Sequence, residues 1–284
     1  MRAFFITMLI TVSAVSAAAL GEGSVKKAGA EGPVPLSIDD KGGIIVDVRV
    51  NAAGPFRFLL DTGAARSIVA DDLAHQLAAP AVAKSDVVTS TGSDLRMVVR
   101  LTSLTMAAAA VDDLFAAVVP AAQLARLGQG VRGLLGQDFL SAFNYTLDYR
   151  LRRLTWDDAV SCDAPGAARM TAADGRFVMA LDDGSGVPLR LVPDSGAEVP
   201  VLFRPRGGSA RGSSAPVMMT GLGSGERMAG ITTMPALRVG SIIMRNLDAY
   251  VIEGPDADVD GLLPLHGFAS VSFAAGGACL VARR

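Results

Sequence analysis

Phe58-Leu59-Leu60-Asp61-Thr62-Gly63-Ala64 and Leu191-Val192-Pro193-Asp194-Ser195-Gly196-Ala197 are two versions of one short pattern. In each, apolar residues run into Asp-(Thr/Ser)-Gly-Ala, and the two aspartates lie 133 positions apart. Other pairs keep that offset: Leu104 with Leu237, Leu114 with Leu247, and Thr91-Gly92 with Ser224-Gly225. Gly133-Leu134-Leu135 recurs as Gly261-Leu262-Leu263, an offset shorter by five residues. A near-constant offset over such a distance marks an internal repeat. A chain that delivers one carboxylate twice can bring both copies to one site.

The segments around these motifs read as short strands. Ile44-Ile45-Val46-Asp47-Val48-Arg49-Val50 is β-branched and alternates toward its end. Asn51 to Pro55 is a turn, and Phe56 to Leu60 is the next strand, ending at Asp61. The plan repeats: Arg176–Leu181 is strand-like, Asp182 to Gly186 turns, and Val187–Val192 leads to Asp194. Ser67–Leu77 reads as a short helix. Short strands separated by Gly, Pro and Asp turns place the chain in the all-β class. The expected organisation is a leader at 1–20, a flexible lead-in at 21–32, a first lobe at 33–157, a linker at 158–175 and a second lobe at 176–284. The linker assignment rests on Pro165, Gly166 and the lack of an apolar period.

The 284 residues are half hydrophobic, with 19% charged and a net charge of −2. That is enough apolar material for one or two cores. The near-neutral balance and 5% aromatic content exclude the electrostatic and stacking signatures of nucleic-acid binding. Arg2 followed by the uncharged apolar stretch Ala3–Val15 and the small residues Val15-Ser16-Ala17 reads as a secretory signal. The expected location is therefore periplasmic or secreted, with an uncleaved anchor as the alternative. No later apolar run reaches spanning length, so no stable membrane span is expected after signal cleavage. Cys162 and Cys279 are the two cysteines. In an oxidising compartment they either pair with each other or remain two buried thiols, and sequence leaves both open.

The chemistry suited to the repeat is water activation. Apolar strands hold the carboxylates, Gly63 and Gly196 permit tight turns, and Thr62 and Ser195 offer hydroxyls to brace the loops. Two facing carboxyls cannot both ionise easily, so they share a proton. The ionised member takes a proton from water, and the protonated one hydrogen-bonds a substrate carbonyl. No cofactor or metal is called for. His75 and His266 lack metal-motif company, and Asp71-Asp72 and Asp112-Asp113 read as helix-start or loop charges. Gly128-x-Gly130-x-x-Gly133 follows a helix-like stretch (Ala121–Leu127) and not a strand, so it reads as a turn.

These motifs resemble the retropepsin-like aspartic proteases in a tandem, single-chain form. Leu60-Asp61-Thr62-Gly63-Ala64 resembles the family's active-site loop. Gly133-Leu134-Leu135-Gly136-Gln137-Asp138-Phe139-Leu140 resembles its apolar-apolar-Gly element and following helix, and Tyr145–Trp156 its closing strands. The resemblance implies two lobes with pseudo-two-fold symmetry and an aspartic-type endopeptidase using Asp61 and Asp194. It also implies flaps at Thr91-Gly92 and Gly223-Ser224-Gly225, closing over an extended peptide substrate. Pro193, before Asp194, and Pro264, in place of Gly136, depart from the pattern. Two alternatives follow: a non-catalytic peptide-binding protein on the same fold, or a lobe 1 dimer that pairs two copies of Asp61.

Overall fold

The computed structural model describes residues 32–90, 92–156, 160–203, 217–222, 226–252 and 259–284, with backbone alone at 4–5, 11–12 and 24–26. These three short segments pair in β fashion with strands of the main sheets. The rest of the expected leader and lead-in lies outside the described residues. Among the described residues, no helix is long and apolar enough to cross a membrane.

The fold is all-β. Its first half contains β1 (Val34–Pro35), β2 (Ser37–Ile38), β3 (Ile44–Val50), β4 (Ala53–Leu60) and β5 (Ile68–Ala70). After α1 (Asp71–Gln76) come β6 (Ala81–Thr89), β7 (Gly92–Met106) and β8 (Ala109–Val119). Then follow α2 (Ala121–Leu124), β9 (Val131–Leu135), α3 (Gln137–Leu140), β10 (Tyr145–Asp148) and β11 (Arg153–Trp156). The remainder contains β12 (Ala167–Ala173), β13 (Arg176–Leu181), β14 (Leu189–Asp194), β15 (Val201–Leu202) and β16 (Val217–Thr220). It ends with β17 (Glu226–Val239), β18 (Ile242–Val251), β19 (Gly261–Pro264), β20 (Ser270–Phe273) and β21 (Cys279–Arg283).

One sheet runs β6-β7-β8-β5-β9-β4-β3-β2. The other contains β16-β17-β18-β15-β19-β14-β13-β12, the same order with each strand replaced by its counterpart. In both, a buried strand carrying the Asp motif lies parallel to the Gly-Leu-Leu strand. Leu59 and Leu60 register with Leu134 and Leu135, and Val192 and Pro193 with Leu262 and Leu263. These strands are apolar on both faces because they are covered on both sides.

Three expectations change. Residues 167–173 are not linker but the strand β12, paired with both β13 and β21. Its Ala-rich sequence shows little apolar alternation, because of its two buried positions, Ala168 and Met170, only one is a large apolar residue. Ser67–Leu77 is not one helix: Ile68–Ala70 are a fully buried strand, and α1 starts at Asp71. Tyr145–Trp156 does not close the first half alone. Its hairpin, β10–β11, joins β20 and β21, so strands from both halves of the chain share one sheet. The aromatic rings of Tyr145 and Phe273 stack there at 4.8 Å, with Phe143 and Trp156 alongside at 5.2 Å. Cys162 and Cys279 form a disulfide that ties the segment before β12 to β21.

Candidate active site

Each aspartate ends its strand and turns back on itself. Asp61 Oδ1 accepts the backbone N–H of Gly63 (2.9 Å) and of Ala64 (3.1 Å). Asp194 Oδ1 accepts those of Gly196 (2.7 Å) and Ala197 (3.1 Å). The structure brings the two turns face to face. A Cβ built on Gly63 would stand 2.5 Å from Asp194 Cγ, so only glycine lets the loops approach this closely.

The hydroxyls knit the loops together reciprocally. Thr62 N–H donates to Ser195 Oγ (3.0 Å), and Ser195 N–H donates to Thr62 Oγ1 (3.0 Å). Thr62 Oγ1 in turn donates to the Pro193 carbonyl (2.8 Å), and Ser195 Oγ to the Leu60 carbonyl (2.8 Å). All four bonds are buried, where leaving a group unpaired costs about 1–3 kcal/mol. The pair of loops therefore behaves as one rigid unit.

Hairpin turns of the opposite half clamp this unit from its sides. In the β2–β3 turn, Lys41 pairs with Glu198 of the second loop at 3.4 Å, and Gly42 packs against His266. Burial lowers the His266 pKa, against the pull of Glu198 and Asp39. In the β12–β13 turn, Gly175 lies against Ala65, just past the first loop.

Both carboxyl groups are fully buried. Their Oδ2 atoms have no partner other than the opposing carboxyl. Burial raises the pKa of each above the usual carboxylate range, and the charge of Asp61 pushes Asp194 further in the same direction. The two therefore titrate as a pair that holds a proton near neutrality.

Behind the first loop stands a polar support. Asp138 accepts the backbone N–H of Ser67 at 2.9 Å and its hydroxyl at 2.7 Å. Gly136 N–H donates to Ser67 Oγ (3.1 Å), and Gln137 Nε2 donates to the Thr62 carbonyl (2.7 Å). A Cβ on Gly136 would come within 2.6 Å of the Arg66 backbone. Burial pushes Asp138 up to about 6, opposed by its bonds from Ser67 and by Arg66. Ser67 sits 71 residues from Asp138, and nothing local in sequence announces the pair.

Of the remaining expected site residues, Gly92 begins β7 and donates to Thr89 Oγ1 at 3.0 Å, closing the β6–β7 hairpin. Thr91, Gly223, Ser224 and Gly225 lie outside the described residues. Among the described residues no cluster of His, Cys, Asp or Glu suited to a metal is present.

Two Asp-(Thr/Ser)-Gly loops thus exchange hydroxyl bonds and present facing, buried carboxyls. Residues 46–139, the segment carrying Asp61, Ser67 and Asp138, match the family model described as "Aspartyl protease". The match covers about a third of the chain and ends before Asp194. A solved structure described as a retropepsin-like aspartic protease from Rickettsia conorii is 16% identical. It covers 43% of this chain and 85% of its own, with a TM-score of 0.29. No curated protein matches the chain.

Proposed function

We propose that this protein is an aspartic-type endopeptidase in which Asp61 and Asp194 together activate water. The observation that carries the reading is the facing, buried carboxyl pair held by the reciprocal Thr62–Ser195 bonds. In the proposed reaction the ionised carboxylate takes a proton from water as its oxygen bonds to the peptide carbonyl carbon. The protonated partner gives its proton to the carbonyl oxygen, forming a neutral gem-diol. Collapse returns a proton to the carboxylate side and delivers one to the leaving nitrogen. The C–N bond breaks to a carboxylic acid and an amine, with no covalent enzyme intermediate and no cofactor.

In this reading the two halves, the second beginning with β12, act as two lobes, each contributing one aspartate, and the protein is exported through its leader. The substrate is an extended peptide paired against the β6–β7 hairpin and its counterpart, β16–β17. The lobe 1 dimer finds less support, because Thr62 already spends its hydroxyl on Pro193 and Ser195 of the same chain.

The test is hydrolysis of a diverse peptide pool between pH 3 and 8 by the protein lacking residues 1–20. Asp61→Asn and Asp194→Asn should each abolish cleavage while circular dichroism and melting remain native-like. Cleavage that survives Asp194→Asn sinks the internal pair and favours the dimer. Peptide affinity without any cleavage favours a binding protein.

A further inference from the structure

On the first hairpin, β6–β7, successive side chains of β7 meet two environments. Leu95 and Met97 are 63% and 41% exposed, whereas Asp94 and Arg96, on the opposite face, are half-buried. Arg96 Nη2 donates to Asp94 Oδ2 at 3.0 Å and to Gln123 Oε1 of α2 at 3.3 Å. Oriented to satisfy both of its neighbours, the Gln123 carboxamide donates to the Leu222 carbonyl at 3.0 Å. Leu222 lies just past the end of β16, in the second hairpin, β16–β17. It is 2% exposed and belongs to the same buried apolar cluster as Leu124 of α2. A chain of bonds from Asp94 through Arg96 and Gln123 therefore ties the second hairpin to the first half.

The repeat shows that this tie is one-sided. At the offset of 133, Arg96 corresponds to Ala229 and Leu222 to Thr89. Ala229 is buried and has no polar side chain with which to reach across. Thr89 Oγ1 donates to the Gly92 carbonyl (2.9 Å) and accepts the Gly92 N–H (3.0 Å). The first hairpin is thus closed by its own bonds, and the second by a bond to the opposite half.

We propose that Gln123 is a positioning residue that latches the second hairpin onto the first half, with Arg96 holding its carboxamide in the donating orientation. The position must accept from a guanidinium on one side and donate to a carbonyl on the other, and a carboxamide does both. A carboxylate there would keep Arg96 but meet the Leu222 carbonyl with a second acceptor. Both hairpins flank the substrate in the proposed function, so the latch governs entry. The second hairpin must lift from Gln123 for an extended peptide to pass beneath it. Charged groups around α2 are Arg96 with Asp94 from β7, Asp71 from α1, which accepts the Ala121 N–H at 2.9 Å, and Arg126 in the turn that follows.

This inference rests on the peptidase reading only for what lies beneath the hairpin. The test is amide hydrogen exchange across residues 217–222 of the full chain, read without substrate. Gln123→Ala removes one hydrogen bond from a local opening equilibrium, so exchange there should speed up by about tenfold while β3 and β4 stay unchanged. Gln123→Glu separates the bond from mere packing. At pH 7 its carboxylate cannot donate, and exchange should match that of Gln123→Ala. At pH 3 the neutral acid donates to the Leu222 carbonyl, and exchange should return to within about threefold of the wild type at that pH. Exchange at the wild-type rate in folded Gln123→Ala overturns the proposal. So does a Gln123→Glu protein that is equally loose, relative to wild type, at pH 3 and pH 7. An inert protein whose 217–222 segment still loosens in Gln123→Ala overturns the peptidase reading and leaves the latch standing.

Discussion

Seen from the front, the two aspartate loops are equal; seen from behind, they are not. Each carboxylate accepts two backbone N–H groups at matching positions, and each hydroxyl bridges to the other loop. Behind Asp61 stand Ser67, Gly136, Gln137 and Asp138 in a bonded cluster. The corresponding positions behind Asp194 are Pro200, Pro264, Leu265 and His266. Two of these have no backbone N–H, and the third is hydrocarbon. The lesson is that the carboxylate geometry needs only the reciprocal bonds in front. The support behind need be polar on one side alone, because the two loops move as a unit.

The sharpest way to break the equality in front is to cut the bonds between the loops. Thr62→Ala and Ser195→Ala each leave a buried N–H unpaired, and should cost about 1–3 kcal/mol in urea denaturation. Each should lower kcat by roughly a hundredfold if the carboxyls separate by about 1 Å. The two losses should be similar, and the double variant should lose much less than their sum, because the same unit is already broken. Additive losses would mean the loops are held independently.

The inequality behind should appear in Asp138→Ala against His266→Ala. Removing Asp138 strips Ser67 of both its acceptor and its orientation toward Gly136. We expect about 2 kcal/mol of destabilisation and a clear loss of activity. His266 contacts the Gly42 turn by packing, so its loss should cost about 1 kcal/mol or less. Equal effects would show that the second half has an equivalent brace.

The carboxyls also set a direction for stability against pH. Asp61, Asp194 and Asp138 all have folded-state pKa values raised by burial. The folded state therefore binds more protons than the unfolded chain, and stability falls as pH rises. For Asp138 the window lies between the ordinary value of 3.8 and about 6. The urea midpoint should drop from pH 4 to pH 7. In Asp61→Asn/Asp194→Asn the drop should shrink, and what remains should be confined below about pH 6. A midpoint that rises with pH over this range contradicts the assignment.

How much of this was legible in sequence divides along the same line. The front of the site was readable, because Asp-Thr-Gly-Ala and Asp-Ser-Gly-Ala are contiguous strings at a fixed offset. The Ser67–Asp138 brace was not, since its partners are far apart and neither is unusual in its own window. The shared sheet of β10, β11, β20 and β21 was equally hidden: alternation identifies a strand but not its neighbour. Strand β12 escaped because its run of alanines, with Met170 its one large apolar residue, looks like a linker. The cysteines could be counted in sequence, but their pairing needed the fold to bring the start of β21 to the segment before β12.

The smallest expected effect concerns Pro193, the most visible departure in the second half. In the first half the β3–β4 ladder runs to Leu60, which registers with Ile44. In the second half the β13–β14 ladder stops at Leu191, two residues short of Pro193. Proline has no N–H to continue it, so the shortening follows from the residue itself. The Pro193 carbonyl still accepts Thr62 Oγ1 at 2.8 Å, so the contact that matters to the pair is kept. Pro193→Leu should therefore leave kcat within about twofold. Regained ladder bonds, worth about 0.5–1.5 kcal/mol, are offset by greater freedom of the unfolded chain, worth about 0.4–1 kcal/mol. The net change in stability should be close to zero. Amide hydrogen exchange at 177 and 193 reads the ladder directly: protection at both positions means the strand pair has extended to match the first half. A large gain in activity would instead show that Pro193 had been holding Asp194 away from its partner.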